Sequence, residues 1–292
     1  KLKKPNLFIV GAAKSGTSSL ASYLSQHPDI FLSGMKEPAY YVEDYGYDDW
    51  DEYVSLYAGR REKVLCDATT GYLYEPSAPA CIKKNHLDAK IVIILRNPID
   101  MAFSHWQHMR VIGNESLSFT EAISDKERAY RKTGEFGRKC KGWWCSFLYI
   151  ERAMYYEQVK RYLDIFGTEG VCLLTFEEFI KSPNETLDSV TSFLGLDIND
   201  FDTRKIKNAG GRLRSKFIRD AIYLREYSFL RKIIPPAARH KIRCFVRDLN
   251  KSATKESMTQ KERGQLRKLF HDDVERLGGL INSDFSVWVD FI

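Results

Sequence analysis

Phe8-Ile9-Val10-Gly11-Ala12-Ala13-Lys14-Ser15-Gly16-Thr17-Ser18-Ser19-Leu20 is the stretch on which the fold turns. It reads as a short apolar strand, a turn of small residues and the first turns of a helix. Backbone amides at such a turn point outward, and the helix N-terminus adds positive potential. Gly11 and Gly16 let the main chain come close to a ligand, and Lys14 sets a full charge among the amides. Thr17, Ser18 and Ser19 add hydroxyls on the first helical turn. These groups suit a phosphate or a sulfate; the structural alternative is an ordinary strand–turn–helix with a Gly-rich bend. The spacing is not that of a nucleoside triphosphatase loop, G-x-x-x-x-G-K-S/T, in which Lys follows the second Gly. Here Thr17 follows Gly16 and the Lys lies inside the loop.

Outward from this loop, apolar runs alternate with helical spacing. Ile30-Phe31-Leu32 and Lys63 to Cys66 read as short strands, and Glu43 to Tyr57 as a loop followed by a helix. Lys90-Ile91-Val92-Ile93-Ile94-Leu95 is continuously apolar after its Lys, the pattern of a strand covered on both faces. A helix is expected from Ile99 to Met109, an irregular polar excursion over 110–147, and helical spacing from Ile150 to Ile165. Val171 to Phe176 reads as another buried strand, and Pro183 to Leu194 as a helix. Strands separated by helices imply parallel pairing with right-handed crossovers, so the expected fold is α/β, P-loop-like, in three layers with a mainly parallel central sheet. Ligands bind such sheets at the carboxyl ends of the strands. Three segments fall there: the 11–19 loop, Asp67 to Tyr72, and Arg96-Asn97-Pro98. One domain is expected over 1–292, with an α/β cofactor-binding core in 1–200 and a basic helical portion in 201–292.

The bulk numbers permit this. The 292 residues are 43% hydrophobic, ample for a core, and the net charge is +6. That charge suits an anionic ligand and is too mild to indicate nucleic acid. No apolar run approaches the roughly 20 residues of a membrane span, and no signal-peptide pattern opens the sequence. The six Cys include no C-x-x-C pair and are expected to be free thiols in a reducing compartment, so the cytoplasm is the expected location.

Arg96, at the end of the best strand, can grip a phosphate bidentately, and Ser104, two turns into the next helix, can add a hydroxyl. The alternative for Arg96 is a structural ion pair. Two anion pockets at separate strand ends would suit a nucleotide with phosphates at both ends of its ribose. His105 and His108 are spaced to share a helix face, but no further ligand is spaced to join them, and no metal is expected. Trp143, Trp144, Tyr40 and Tyr41 are candidates for an acceptor wall or for ordinary core.

The loop from Gly11 to Leu20 resembles the 5′-phosphosulfate loop of the sulfotransferases, which use 3′-phosphoadenosine 5′-phosphosulfate (PAPS). Leu95-Arg96-Asn97-Pro98 followed by Ser104-His105-Trp106 resembles their 3′-phosphate segment, and Lys36-Glu37-Pro38 the Lys-Glu-Pro turn of the heparan-sulfate-like branch. Tyr155 to Val159, Phe176 to Phe179, Phe193 to Leu196 and 266–288 are similar to later sections of the family. The resemblance implies a PAPS-dependent transferase that moves a sulfuryl group to a hydroxyl or amine of a small-molecule or carbohydrate acceptor and releases adenosine 3′,5′-bisphosphate. Lys14, Ser15, Gly16, Thr17 and Ser18 would hold the 5′-phosphosulfate, and Arg96 and Ser104 the 3′-phosphate. Arg214 and Lys216 fall where a further cofactor loop is expected. Glu37 would be the general base, with His105 in reserve, and Lys14 would also serve catalysis. Two differences stand on the acceptor side: Ala39 where relatives often carry His, and Asp67-Ala68-Thr69-Thr70 where they often carry Glu-Lys-Thr-Pro. They argue against a heparan substrate. The rival readings are an ATP-dependent P-loop phosphotransferase, disfavoured by the position of Lys14, and a non-enzymatic polyanion-binding module built on the basic 204–247 segment. Oligomeric state is open.

Overall fold

The computed structural model describes residues 3–35, 37–140, 142–204 and 257–292, with the backbone alone of 212–213 and 251–252. Five strands, β1 (Leu7–Gly11), β2 (Ile30–Leu32), β3 (Val64–Ala68), β4 (Lys90–Leu95) and β5 (Val171–Thr175), form a sheet in the order β2-β3-β1-β4-β5. Every pairing is parallel. Parallel neighbours require crossovers, and helices supply them. They are α1 (Thr17–Leu24), α2 (Trp50–Ser55), α3 (Ala78–Asn85), α4 (Pro98–Val111), α5 (Phe119–Ala122), α6 (Asp125–Arg131), α7 (Gly134–Lys139) and α8 (Tyr156–Phe166). After β5 come α9 (Phe176–Lys181), α10 (Pro183–Phe193) and, past the undescribed stretch, α11 (Gln260–Ile281).

Side chains alternate across a strand, and β1 uses both faces. Leu7 and Ile9 pack with Val92 and Ile94 of β4, Leu20 and Leu24 of α1, and Leu187 and Val190 of α10. Phe8, on the other face, meets Tyr41, Tyr72 and His86 edge-on or tilted. Tyr162 of α8 lies on that side and donates its hydroxyl to the Tyr72 carbonyl at 2.9 Å. Both faces are thus covered, which gives three layers. It also explains why Ile91 to Leu95 of β4 are fully buried without alternation.

The chain divides into two compact units: 1–102 with 148–208 and 260–292, and 103–147 with 209–259. The sheet belongs wholly to the first. In the second, the expected irregular excursion over 110–147 proves to be largely helical. Its helices are short and start from capping side chains. Ser118 and Glu121 form a capping box at α5, Ser124 caps α6 and Thr133 caps α7. Arg131 ties them together from a buried position. It reaches Glu115 at 2.7 Å, Glu127 at 2.8 Å and the Phe147 carbonyl at 2.9 Å.

The helix expected from Ile150 begins only at Tyr156. A 3-10 turn, Glu151–Ala153, precedes it. The cause is a distant cap: the Asp273 carboxylate of α11 accepts from the Tyr155 amide at 2.6 Å and the Tyr156 amide at 3.2 Å. A carboxylate at a helix N-terminus meets both the orphan amides and the positive dipole end.

Candidate active site

The β1–α1 loop is held by its neighbours at fixed points. The Ala12 amide donates to the Ile94 carbonyl of β4 at 2.7 Å. The Ser19 and Leu20 amides close the first turn of α1 on the Gly16 carbonyl. Lys14 (φ 63°) and Gly16 (φ 85°) both take the left-handed conformation, and Gly16 is the N-cap of α1. A Cβ on Gly16 would stand 3.0 Å from the Phe176 ring, and one on Gly11 would stand 2.7 Å from Leu73 Cβ. Both glycines are therefore required by close packing as well as by backbone conformation. Ser15 is fully buried, with its hydroxyl 3.4 Å from the Ala13 carbonyl; Thr17 is buried and Ser18 half-buried.

Arg96 comes to this loop from the end of β4. Its guanidinium donates to the Lys14 carbonyl at 3.1 Å and lies 4.8 Å from the centroid of the Phe176 ring. Among the described residues no carboxylate forms an ion pair with it. Asn97, next in sequence, is clasped from three directions. Its amide N–H donates to Glu177 Oε1 at 3.0 Å, its Nδ2 donates to Asp290 Oδ2 at 2.7 Å, and its Oδ1 accepts from the Ile99 amide at 3.1 Å.

Ser104 and His105 lie further along α4, in the second unit; Ser104 is half-buried and His105 buried. His108, three residues on, is exposed. Arg214, Lys216 and Lys36 lie outside the described residues.

Glu37 is half-buried, with φ 55°. The Thr70 hydroxyl donates to its Oε1 at 3.3 Å. Two residues on, the Ala39 amide donates to Thr69 Oγ1 at 3.3 Å, and Thr69 donates in turn to Asp67 Oδ1 at 2.7 Å. Asp67 is completely buried in β3 and accepts two more hydroxyls, from Tyr53 at 2.8 Å and Tyr72 at 2.9 Å. Burial pushes its carboxyl up to about 6, against the pull of those three donors. The Leu73 amide then donates to the Val10 carbonyl at 2.9 Å. A continuous path of bonds thus runs from the Glu37 turn, through the end of β3, to the start of the β1–α1 loop.

The sequence marked 67–72 as a strand-end segment but gave Asp67 no role. The available signal was an acid inside an apolar run, which cannot be left unpaired. With three hydroxyls bound to it, Asp67 is not presented to a magnesium ion as the acid of an ATP-dependent P-loop enzyme would be. Tyr41 belongs to the core: it is buried, with its hydroxyl 2.6 Å from His86 Nε2, while Tyr40 stacks on Tyr53 at 4.7 Å. Trp143 is buried within the second unit.

A parallel sheet in three layers, with a glycine-bearing loop between β1 and α1 and an arginine after β4, defines a P-loop-like α/β protein. Within that class the chain belongs to the sulfotransferase domain family, whose model matches residues 4–278. A solved sulfotransferase from Alicyclobacillus acidocaldarius superposes with a TM-score of 0.74 at 31% identity, covering 98% of this chain and 99% of that one. A bifunctional heparan sulfate N-deacetylase/N-sulfotransferase 1 of Caenorhabditis elegans is 26% identical over 211 residues, 70% of this chain and 23% of its own length. The human heparan sulfate glucosamine 3-O-sulfotransferase 3B1 is 25% identical over 197 residues, 66% of this chain and 46% of its own. The chain therefore spans less than half the length of these curated relatives. None of the described helices is long and apolar enough to cross a membrane.

Proposed function

We propose that this chain is one sulfotransferase domain that transfers a sulfuryl group from PAPS to a hydroxyl or amine of a small-molecule or carbohydrate acceptor. The carrying observation is the meeting of Arg96 with the Lys14 turn, which sets a fixed guanidinium beside the amides and charge of the β1–α1 loop. The donor set fits a nucleotide of this kind. Cations and first-turn amides face anions without a competing carboxylate on Arg96 among the described residues, and the loop backbone is pinned before any ligand arrives. The family match over 4–278 and the curated heparan sulfate relatives support both the donor and a sugar-like acceptor.

When bound, PAPS supplies the sulfuryl group. Lys14 and the loop amides hold the 5′ side, where negative charge grows as the bond to sulfur breaks, so they favour the transition state over the ground state. Arg96, with Ser104, holds the 3′-phosphate. Glu37 takes the acceptor proton on a carboxylate oxygen, with Thr70 orienting that group. Arg214 and Lys216 are proposed as further cofactor contacts and His105 as the substitute base. No metal is required by this donor set. The free thiols at Cys66, which is buried, and Cys172, which is half-buried, fit a reducing cytoplasm.

Two substitutions separate binding from chemistry. Lys14→Ala should weaken adenosine 3′,5′-bisphosphate binding in calorimetry by about tenfold or more, the worth of one charge-assisted contact. Glu37→Gln should leave that affinity unchanged while cutting turnover with labelled donor by about 10²-fold or more. Near-normal turnover of the Glu37 variant would place the base elsewhere.

A further inference from the structure

The chain after α11 returns to the end of β4. The Trp288 indole N–H donates to Glu177 Oε2 at 2.9 Å, and Glu177 Oε1 accepts the Asn97 amide at 3.0 Å. Asp290 accepts Asn97 Nδ2 at 2.7 Å. Arg263 of α11 grips Asp290 with two nitrogens, at 2.8 and 2.6 Å, and reaches Asp100 of α4 at 2.9 Å. Burial raises the Asp290 carboxyl, but Arg263 and Asn97 outweigh it, so this acid stays ionised. The Asn97 backbone amide and side-chain amide are thereby fixed by residues 80 and 193 positions away. Arg96 is the residue immediately before it, over the ring of Phe176, which itself precedes Glu177.

We propose that Asp290, held by Arg263, is a positioning residue for Arg96: it fixes the Asn97 turn so that the guanidinium is aimed at the 3′-phosphate before the nucleotide binds. The inference rests on the cofactor reading above. A flexible arginine loses side-chain and backbone freedom on binding, and a clamp that removes this freedom beforehand raises affinity without touching the ligand. The Asp290–Asn97 bond couples the turn to α11 through one half-buried carboxylate. Its contribution is therefore specific to the ligand group that Arg96 serves.

The test compares two nucleotides, adenosine 3′,5′-bisphosphate and adenosine 5′-monophosphate, by calorimetry on the whole chain. Wild type should prefer the bisphosphate, and Arg96→Ala should erase that preference. Asp290→Ala should weaken the bisphosphate about tenfold, as expected for one lost charge-assisted bond, and leave the monophosphate within about twofold. Asp290→Asn keeps the shape and the fold while removing the charge held by Arg263, and should give a smaller loss of the same kind. A parallel loss for both nucleotides, or an unchanged preference in both Asp290 variants, overturns the positioning role. If wild type shows no preference, or Arg96→Ala leaves it intact, the cofactor reading fails instead.

Discussion

Asp67 takes its hydrogen bonds from three hydroxyls in a fully buried setting. Its folded-state carboxyl titrates at about 6, against 3.8 for the ordinary group. Between those two values the folded chain holds a proton that the unfolded chain has released. Stability therefore falls as pH rises through about 4 to 6, by about 3 kcal/mol in full. Asp67→Asn should abolish this part of the slope. Urea unfolding at pH 4, 5, 6 and 7 measures it as the difference between wild type and variant; identical slopes would remove Asp67 from the account. Because Thr69 bonds both Asp67 and the Ala39 amide, the same residue sets the backbone two positions from Glu37. Such a residue is hard to see in the sequence. Thr69 and Tyr72 are close to it in sequence, but Tyr53 is fixed as a partner only when α2 brings its hydroxyl to the Asp67 carboxylate.

At the scale of elements, legibility followed locality. The β1–α1 unit was readable because strand, turn and helix start are contiguous. β4 was readable because a run of five buried aliphatics has few other fates. The 110–147 stretch was not read as helical, since helices of four to seven residues show little periodicity. Its visible signals were the caps, Ser118 with Glu121 and Ser124 with Glu127, which follow the S-x-x-E pattern. The hidden one was Arg131, whose side chain is 1% exposed beside Glu115 at 3%. Removing one partner leaves a buried charge uncompensated. Arg131→Met should therefore destabilise the second unit by about 3–5 kcal/mol. Limited proteolysis should show cleavage within 103–147 at temperatures where wild type resists it. Equal resistance would mean that the caps alone hold these helices.

Across the whole molecule, the proposed nucleotide binding would be linked to folding. A ligand that binds only the native chain adds about 2.7 kcal/mol at a concentration of 100 Kd. For a chain of 292 residues, adenosine 3′,5′-bisphosphate at that level should raise Tm by about 4 °C in a thermal-shift measurement. Arg96→Ala at the same ligand concentration should lose most of the rise. A wild-type Tm indifferent to the nucleotide would contradict the proposed site. The long-range clasp at Asn97 was not legible at all from the sequence, since nothing in Asn97-Pro98 announces a bond to a residue 193 positions later.

The strand order has a temporal meaning. β1 is made first, yet both its neighbours, β3 and β4, are made much later, and Asp290 later still. An intermediate holding only β1 to β3 has one edge of β1 paired, with β3, and the edge that β4 takes still open. The proposed cradle thus joins pieces far apart in this sequence, and a fragment that stops before β4 would lack the Arg96 assigned to the nucleotide.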